Sequence, residues 1–185
     1  MEKQIRMAEA VAEAITFQVP ALDEVAETIR DNALASARVK LWEPERSADL
    51  AALLCRADFL DYFKYGLASG VARTLAASDP NVQAVYVYDP STNADSDSGE
   101  DMPQDATVHL LLRVTQSSAA LEAYIVALDR ALAASLIALP SPRFAQRESI
   151  LDVNSVSDDD VRRGVNYAGL LAGVFAPPLN IWRCA

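Results

Sequence analysis

From Ala57 to Ser78 the apolar residues Phe59, Phe63, Leu67, Val71 and Leu75 stand four apart, and the pattern stops at Ser78-Asp79-Pro80-Asn81. That spacing predicts one long helix with a continuous apolar face, which needs a broad surface to bury it. Directly after the break the period changes. Val82 to Tyr88 is a β-branched and aromatic run, and Thr107 to Thr115 alternates, with Val108, Leu110, Leu112 and Val114 on one face. A helix with one greasy stripe followed by strands with one greasy face predicts helices layered on a sheet.

The remaining patterns extend this reading. After Ser117-Ser118, the residues Leu121, Ile125, Leu128, Leu132, Leu136 and Leu139 predict a second strong helix, stopped by Pro140 and Pro142. The run "ESILDVNSV" is a third strand candidate. Ser157 before Asp158, Asp159 and Asp160 is an N-cap with an acidic first turn, predicting a helix through Val161, Val165, Ala168 and Leu171 that ends by Pro177-Pro178. "LNIWRCA" reads as a short tail. Upstream, Ile5, Ala8, Val11, Ala12 and Ile15, then Leu22, Val25, Ala26 and Ile29 after Pro20, predict two amphipathic helices. "VKLWEPERS" reads as a non-helical connector, with Ser47 as N-cap of a segment carrying Leu50, Leu53 and Leu54. The expected class is α+β: a small sheet of about three or more strands packed with helices and preceded by N-terminal amphipathic helices. Residues 1–46 are expected as a helical extension and 47–185 as the α+β domain, or the whole as one compact domain.

Composition bounds the function. The chain of 185 residues is 51% hydrophobic, enough for one core, and carries a formal net charge of −10. A surface of that sign repels a phosphate backbone, so no nucleic-acid partner is expected. Cys55 and Cys184 are too sparse for a disulfide scaffold, and the N-terminal stripe is interrupted by Glu9 and Glu13, unlike a signal peptide. No run has the roughly 18 apolar residues of a membrane span. A soluble cytoplasmic protein with no membrane partner is expected. The N-terminal stripes must be buried against something, which points to a homo-oligomer or a protein partner.

Between the first two strands lies "DPSTNADSDSGEDMPQDA", with six carboxylates and no Lys or Arg. A calcium loop started at Asn93 places Asp95 and Asp97 correctly, but Ser98 stands at the sixth position, Gly99 comes one place late, and Gln104 replaces the twelfth-position glutamate. The segment therefore reads as a solvated strand connection, and no metal site is assigned. The single histidine, His109, faces away from Val108 and Leu110, and neither cysteine has zinc-ligand spacing. Cys55 follows "AALL" and reads as buried filler rather than as a nucleophile served by His109. "DDDVRR" reads as an ordinary helix start with solvated arginines. No nucleophile elbow, phosphate-binding loop or dinucleotide fingerprint occurs.

The run from long helix through strand, polar connection, strand, helix and third strand resembles the core of the nucleotidyltransferase superfamily that includes DNA polymerase β and the small antitoxin-like transferases. In that family a first strand ends in Gly-Ser, a second carries a carboxylate-x-carboxylate pair and a later strand a third carboxylate, and two metal ions on these groups serve the transfer. Here "VQAVYVYDPSTN" takes the place of the first strand, with Asp89-Pro90-Ser91 instead of Gly-Ser. "QDATVHLLLRV" takes the second, with Asp105 and, in place of its partner carboxylate, Thr107. Asp152 in "ILDVNSV" stands for the third. The resemblance covers about residues 56–170 and implies Asp105 and Asp152 as catalytic positions and Asp89 and Ser91 as ligand-binding positions. Without the glycine and the second carboxylate, it implies a degenerate site that uses no cofactor. The chain is then a binding or regulatory protein. The alternatives are an active transferase using Mg²⁺ on Asp105, Asp152 and a carboxylate of the acidic segment, and a purely structural subunit.

Overall fold

The computed structural model describes residues 22–41, 49–88, 106–165, 167–171 and 177–184. The first predicted helix, Ser47, and the acidic segment with Asp89, Ser91 and Asp105 lie outside the described residues. The order is α1 (22–40), α2 (Leu50–Cys55), α3 (Ala57–Ser78), β1 (Val82–Val87), β2 (Val108–Val114), α4 (Ala119–Ile137), β3 (Leu151–Ser157), α5 (Asp158–Arg163), α6 (Ala168–Leu171) and β4 (Leu179–Arg183). The class is α+β. The four strands form one mixed sheet in the order β3-β2-β1-β4. β1 and β2 pair antiparallel, from Val82 opposite Val114 to Val87 opposite Leu110, so the acidic segment joins two neighbouring strands. β2 and β3 pair parallel, which needs a long crossover, and α4 supplies it. No helix among the described residues is long and apolar enough to cross a membrane.

α3 is the spine of the fold. Phe59, Phe63, Leu67, Val71 and Leu75 are all fully buried, in one cluster with Leu110, Leu112, Leu128 and Leu132. Phe144, from the turn after α4, stands edge-on to Phe63 with ring centroids 6.0 Å apart. α1 shares this core through Ala26, Ile29, Ala33 and Ala37, so the second N-terminal stripe is buried within the chain. The approach is close because α3 presents glycines there. A Cβ on Gly66 would lie 2.8 Å from the Ala33 Cα, and one on Gly70 2.8 Å from the Ile29 Cγ2. Arg30 ties α1 to α4 by donating to the Ser135 carbonyl at 2.9 Å.

Four local expectations are corrected. α1 runs through Val39 and Lys40, with Leu41 N–H donating to the Ala37 carbonyl, because the Ala-rich stripe keeps contact with α3 to that point. The helix start before Leu50 is capped by Asp49, whose Oδ1 accepts from the Ala51 N–H; a cap acts only from the residue next to the first turn. The expected helix 158–171 is interrupted. Ser157 and Asp160 form a reciprocal capping box, but Gly164 adopts φ 62°, ψ 31° and closes α5. The C-terminal run is a strand, β4, antiparallel to β1, with Cys184 N–H donating to the Gln83 carbonyl at 2.9 Å. Its partner is far back in the sequence, so no local pattern marks it.

Candidate functional site

Because side chains alternate along a strand, the residues between the core positions share the other face of the sheet. On β2 these are His109, Leu111 and Arg113. The register sets Asp152 beside His109 and Asn154 beside Leu111, while Tyr88 N–H donates to the His109 carbonyl at 3.2 Å. Three strands thus bring Tyr88, His109 and Asp152 into one row, at the end of the sheet where the acidic segment connects β1 to β2. A small apolar cluster, Leu111, Val156 and Ala168, floors the rest of this face under α5 and α6. Arg113 holds α5 there through its Asp158 ion pair, with Nη2 2.8 Å from Oδ1.

The row is a connected network. His109 Nδ1 lies 2.9 Å from Asp152 Oδ2, which makes Nδ1 the protonated nitrogen facing a carboxylate and leaves Nε2 as an acceptor in the neutral ring. Asn154 Nδ2 donates to the Tyr88 hydroxyl at 3.0 Å and to Asp152 Oδ1 at 3.2 Å, and the Tyr88 hydroxyl donates to Asp152 Oδ2 over a longer 3.4 Å. Burial, with the Asp152 charge adding to it, pushes the Tyr88 phenol up to about 12. It stays a neutral donor at physiological pH. The rings of His109 and Tyr167 lie against Tyr88, at centroid distances of 5.6 and 6.3 Å. The His109 side chain is 18% exposed and Asp152 47%, so a ligand can reach the carboxylate.

Of the four site residues implied by the resemblance, Asp152 alone lies among the described residues. Thr107, at the missing carboxylate's position, accepts a hydrogen bond from Arg147 Nη1 at 3.0 Å. Cys55, expected in the core, is exposed, because Leu53 and Leu54 take the buried positions of the short α2. Tyr88 and Asn154 were not legible as site residues. The alternation of Asp152, Val153 and Asn154 signals a polar face, but which side chains meet on it depends on the register between β2 and β3. Among the described residues no group of three or more His, Cys, Asp or Glu is placed to hold a metal ion.

The arrangement can orient an imidazole, present a phenol and a carboxamide as hydrogen-bonding groups, and offer aromatic faces to a planar or polar ligand. Among the described residues it contains no thiol or aliphatic hydroxyl beside the imidazole, and its phenol keeps its proton. No protein-family model, curated protein or solved structure matches this chain.

Proposed function

We propose that the protein is a binding or regulatory module with a nucleotidyltransferase-like core and no competent transfer centre. The order of α3, β1, β2, α4 and β3 is the element order on which the resemblance rests. The observation that carries the reading is how Asp152 is held. Both of its oxygens accept from neighbours, His109 and Tyr88 on one and Asn154 on the other. Its register partner on β2 is an imidazole rather than a carboxylate, and the Arg147 guanidinium stands at Thr107. Mg²⁺ favours carboxylates and water in an octahedron and sheds water reluctantly, so this donor set does not fit it. A cation beside Thr107 opposes a metal there as well. No step of nucleotidyl transfer is derived through such an ion.

The net charge of −10 supports a partner other than nucleic acid. Sparse cysteines support a cytoplasmic setting. With the second stripe buried in the chain, any second copy or protein partner at the N-terminus would meet Ile5, Val11 and Ile15, which lie outside the described residues.

The test is incubation with Mg²⁺ or Mn²⁺ and each common nucleoside triphosphate. No transfer to protein, nucleotide or hydroxyl acceptors is expected. Turnover that disappears in Asp152→Asn would restore the active-enzyme reading.

A further inference from the structure

Among the described residues β3 is an edge strand, paired to β2 alone. The Val108 N–H donates to the Ile150 carbonyl at 2.8 Å, which sets the parity along the parallel pair. Asp152, Asn154 and Val156 bond toward β2, and the backbone groups of Leu151, Val153, Ser155 and Ser157 point outward. Both ends of that outer row are closed by side chains. Asp129 of α4 accepts the Leu151 N–H at 2.8 Å, and Asp160 accepts the Ser157 N–H at 2.9 Å. Between these clamps Val153 and Ser155 border a groove of about 520 Å³, walled on the other side by Ile125 and Val126 of α4. Val126 is 51% exposed.

Edges of natural sheets are usually blunted by Lys, Pro or a bulge. β4, at the opposite edge, has a register shift against β1 and carries Arg183. β3 keeps an unbroken register over its whole length and contains neither Lys nor Pro. Among the described residues, the groove's charged residues are Glu122 and Asp160, with no Lys or Arg in its lining.

We infer that this groove takes an extended, basic peptide segment that adds to the sheet beside β3. Its backbone pairs with Val153 and Ser155, an apolar side chain rests on Ile125 and Val126, and a Lys or Arg approaches Glu122 and Asp160. Charge selects this occupant. A second copy of a chain with net charge −10 would set acid against acid, and nucleic acid is repelled for the same reason. The inference is independent of the nucleotidyltransferase-like reading, since it uses the outer edge of β3 and not the Tyr88, His109 and Asp152 row.

The probe is a fluorescent peptide of about six residues alternating Val and Lys, titrated into the full chain and followed by anisotropy. Its controls are the Val/Glu counterpart and two peptides N-methylated on alternate amides, one for each face. Saturable binding is expected, weakened about tenfold or more in the Val/Glu peptide and in one of the N-methylated pair. Ser155→Pro removes an outward N–H without touching the ladder to β2, and Glu122→Lys reverses an exposed charge; each weakens binding about tenfold. Glu122→Lys loses the acceptor of the Ser117 hydroxyl and an acid in the first turn of α4, so a small fall in melting temperature is expected; a cooperative transition well above the assay temperature shows that a loss of binding there is not a loss of fold. Absence of binding at millimolar peptide overturns the inference. Equal binding of all peptides, or of both N-methylated forms, does so too, because it reduces the effect to diffuse attraction. A dimer that Ser155→Pro dissociates gives the edge to a second copy and also overturns it.

Discussion

On the face of the sheet turned toward α1, α3 and α4, Val108, Leu110, Leu112 and Val114 are at most 1% exposed and belong to the main hydrophobic core. On the other face, under the short α5 and α6, the same strands carry His109, Asp152 and Asn154 in a hydrogen-bonded row with Tyr88. One face has its interactions completed by long helices. The other has only Leu111, Val156 and Ala168 buried among the described residues, with Tyr86, Val161, Leu170 and Leu171 partly buried around them, and leaves polar groups within reach of solvent. Apolar packing is non-directional and sums over area, so the first face holds the fold; hydrogen-bond geometry is directional, so the second can select a ligand.

The sharpest way to break this contrast is to truncate one residue on each side. Phe63→Ala removes a fully buried ring in contact with Phe144 and is expected to cost about 3–5 kcal/mol in chemical denaturation. His109→Ala is expected to cost less than about 1 kcal/mol, because Asp152 is exposed enough to regain water. Equal costs would make the polar row a structural element instead of a site.

A smaller effect sharpens the core side alone. Gly66→Ala places a methyl against the backbone of Ala33, which cannot turn aside, and should destabilise by about 1–3 kcal/mol despite alanine's better helix propensity. Gly70→Ala meets Cγ2 and Cγ1 of Ile29, a buried β-branched side chain held to one χ1 in its helix, so only small shifts ease the contact, and it should cost somewhat less than the backbone clash at Gly66. The order of the two melting temperatures checks whether the contact is backbone-limited.

The smallest effect lies on the polar side. Tyr88 keeps its proton in the folded chain up to about 12, whereas the unfolded chain loses it near the ordinary 10.0. Between those values the folded state binds more protons, so stability falls as pH rises through that window and is unaffected below it. Tyr88→Phe should reduce this slope, measured by denaturation at several alkaline pH values, leaving the part due to Tyr124, whose phenol burial also pushes up. An ultraviolet difference titration of the two proteins should show Tyr88 ionising after an exposed tyrosine. Asp152→Asn should move that titration down only modestly, because burial is the larger cause.

Local physics written along the chain determined much of this molecule. The four-residue spacing from Phe59 to Leu75 is enough to define α3, since a helix repeats its face at that interval whatever it packs on. The alternation in β2 and the Ser157 cap before three aspartates are equally local, and both stand in the structure. Three features were decided only in the tertiary structure. β4 is a strand because β1 offers it an edge, not because of any period in "LNIWR". The burial of the α1 stripe depends on Gly66 and Gly70 admitting a second helix. Asp152 was legible as a candidate but its partners were not, because a parallel register aligns residues joined through α4, and shifting it by one would turn His109 and Asp152 to opposite faces.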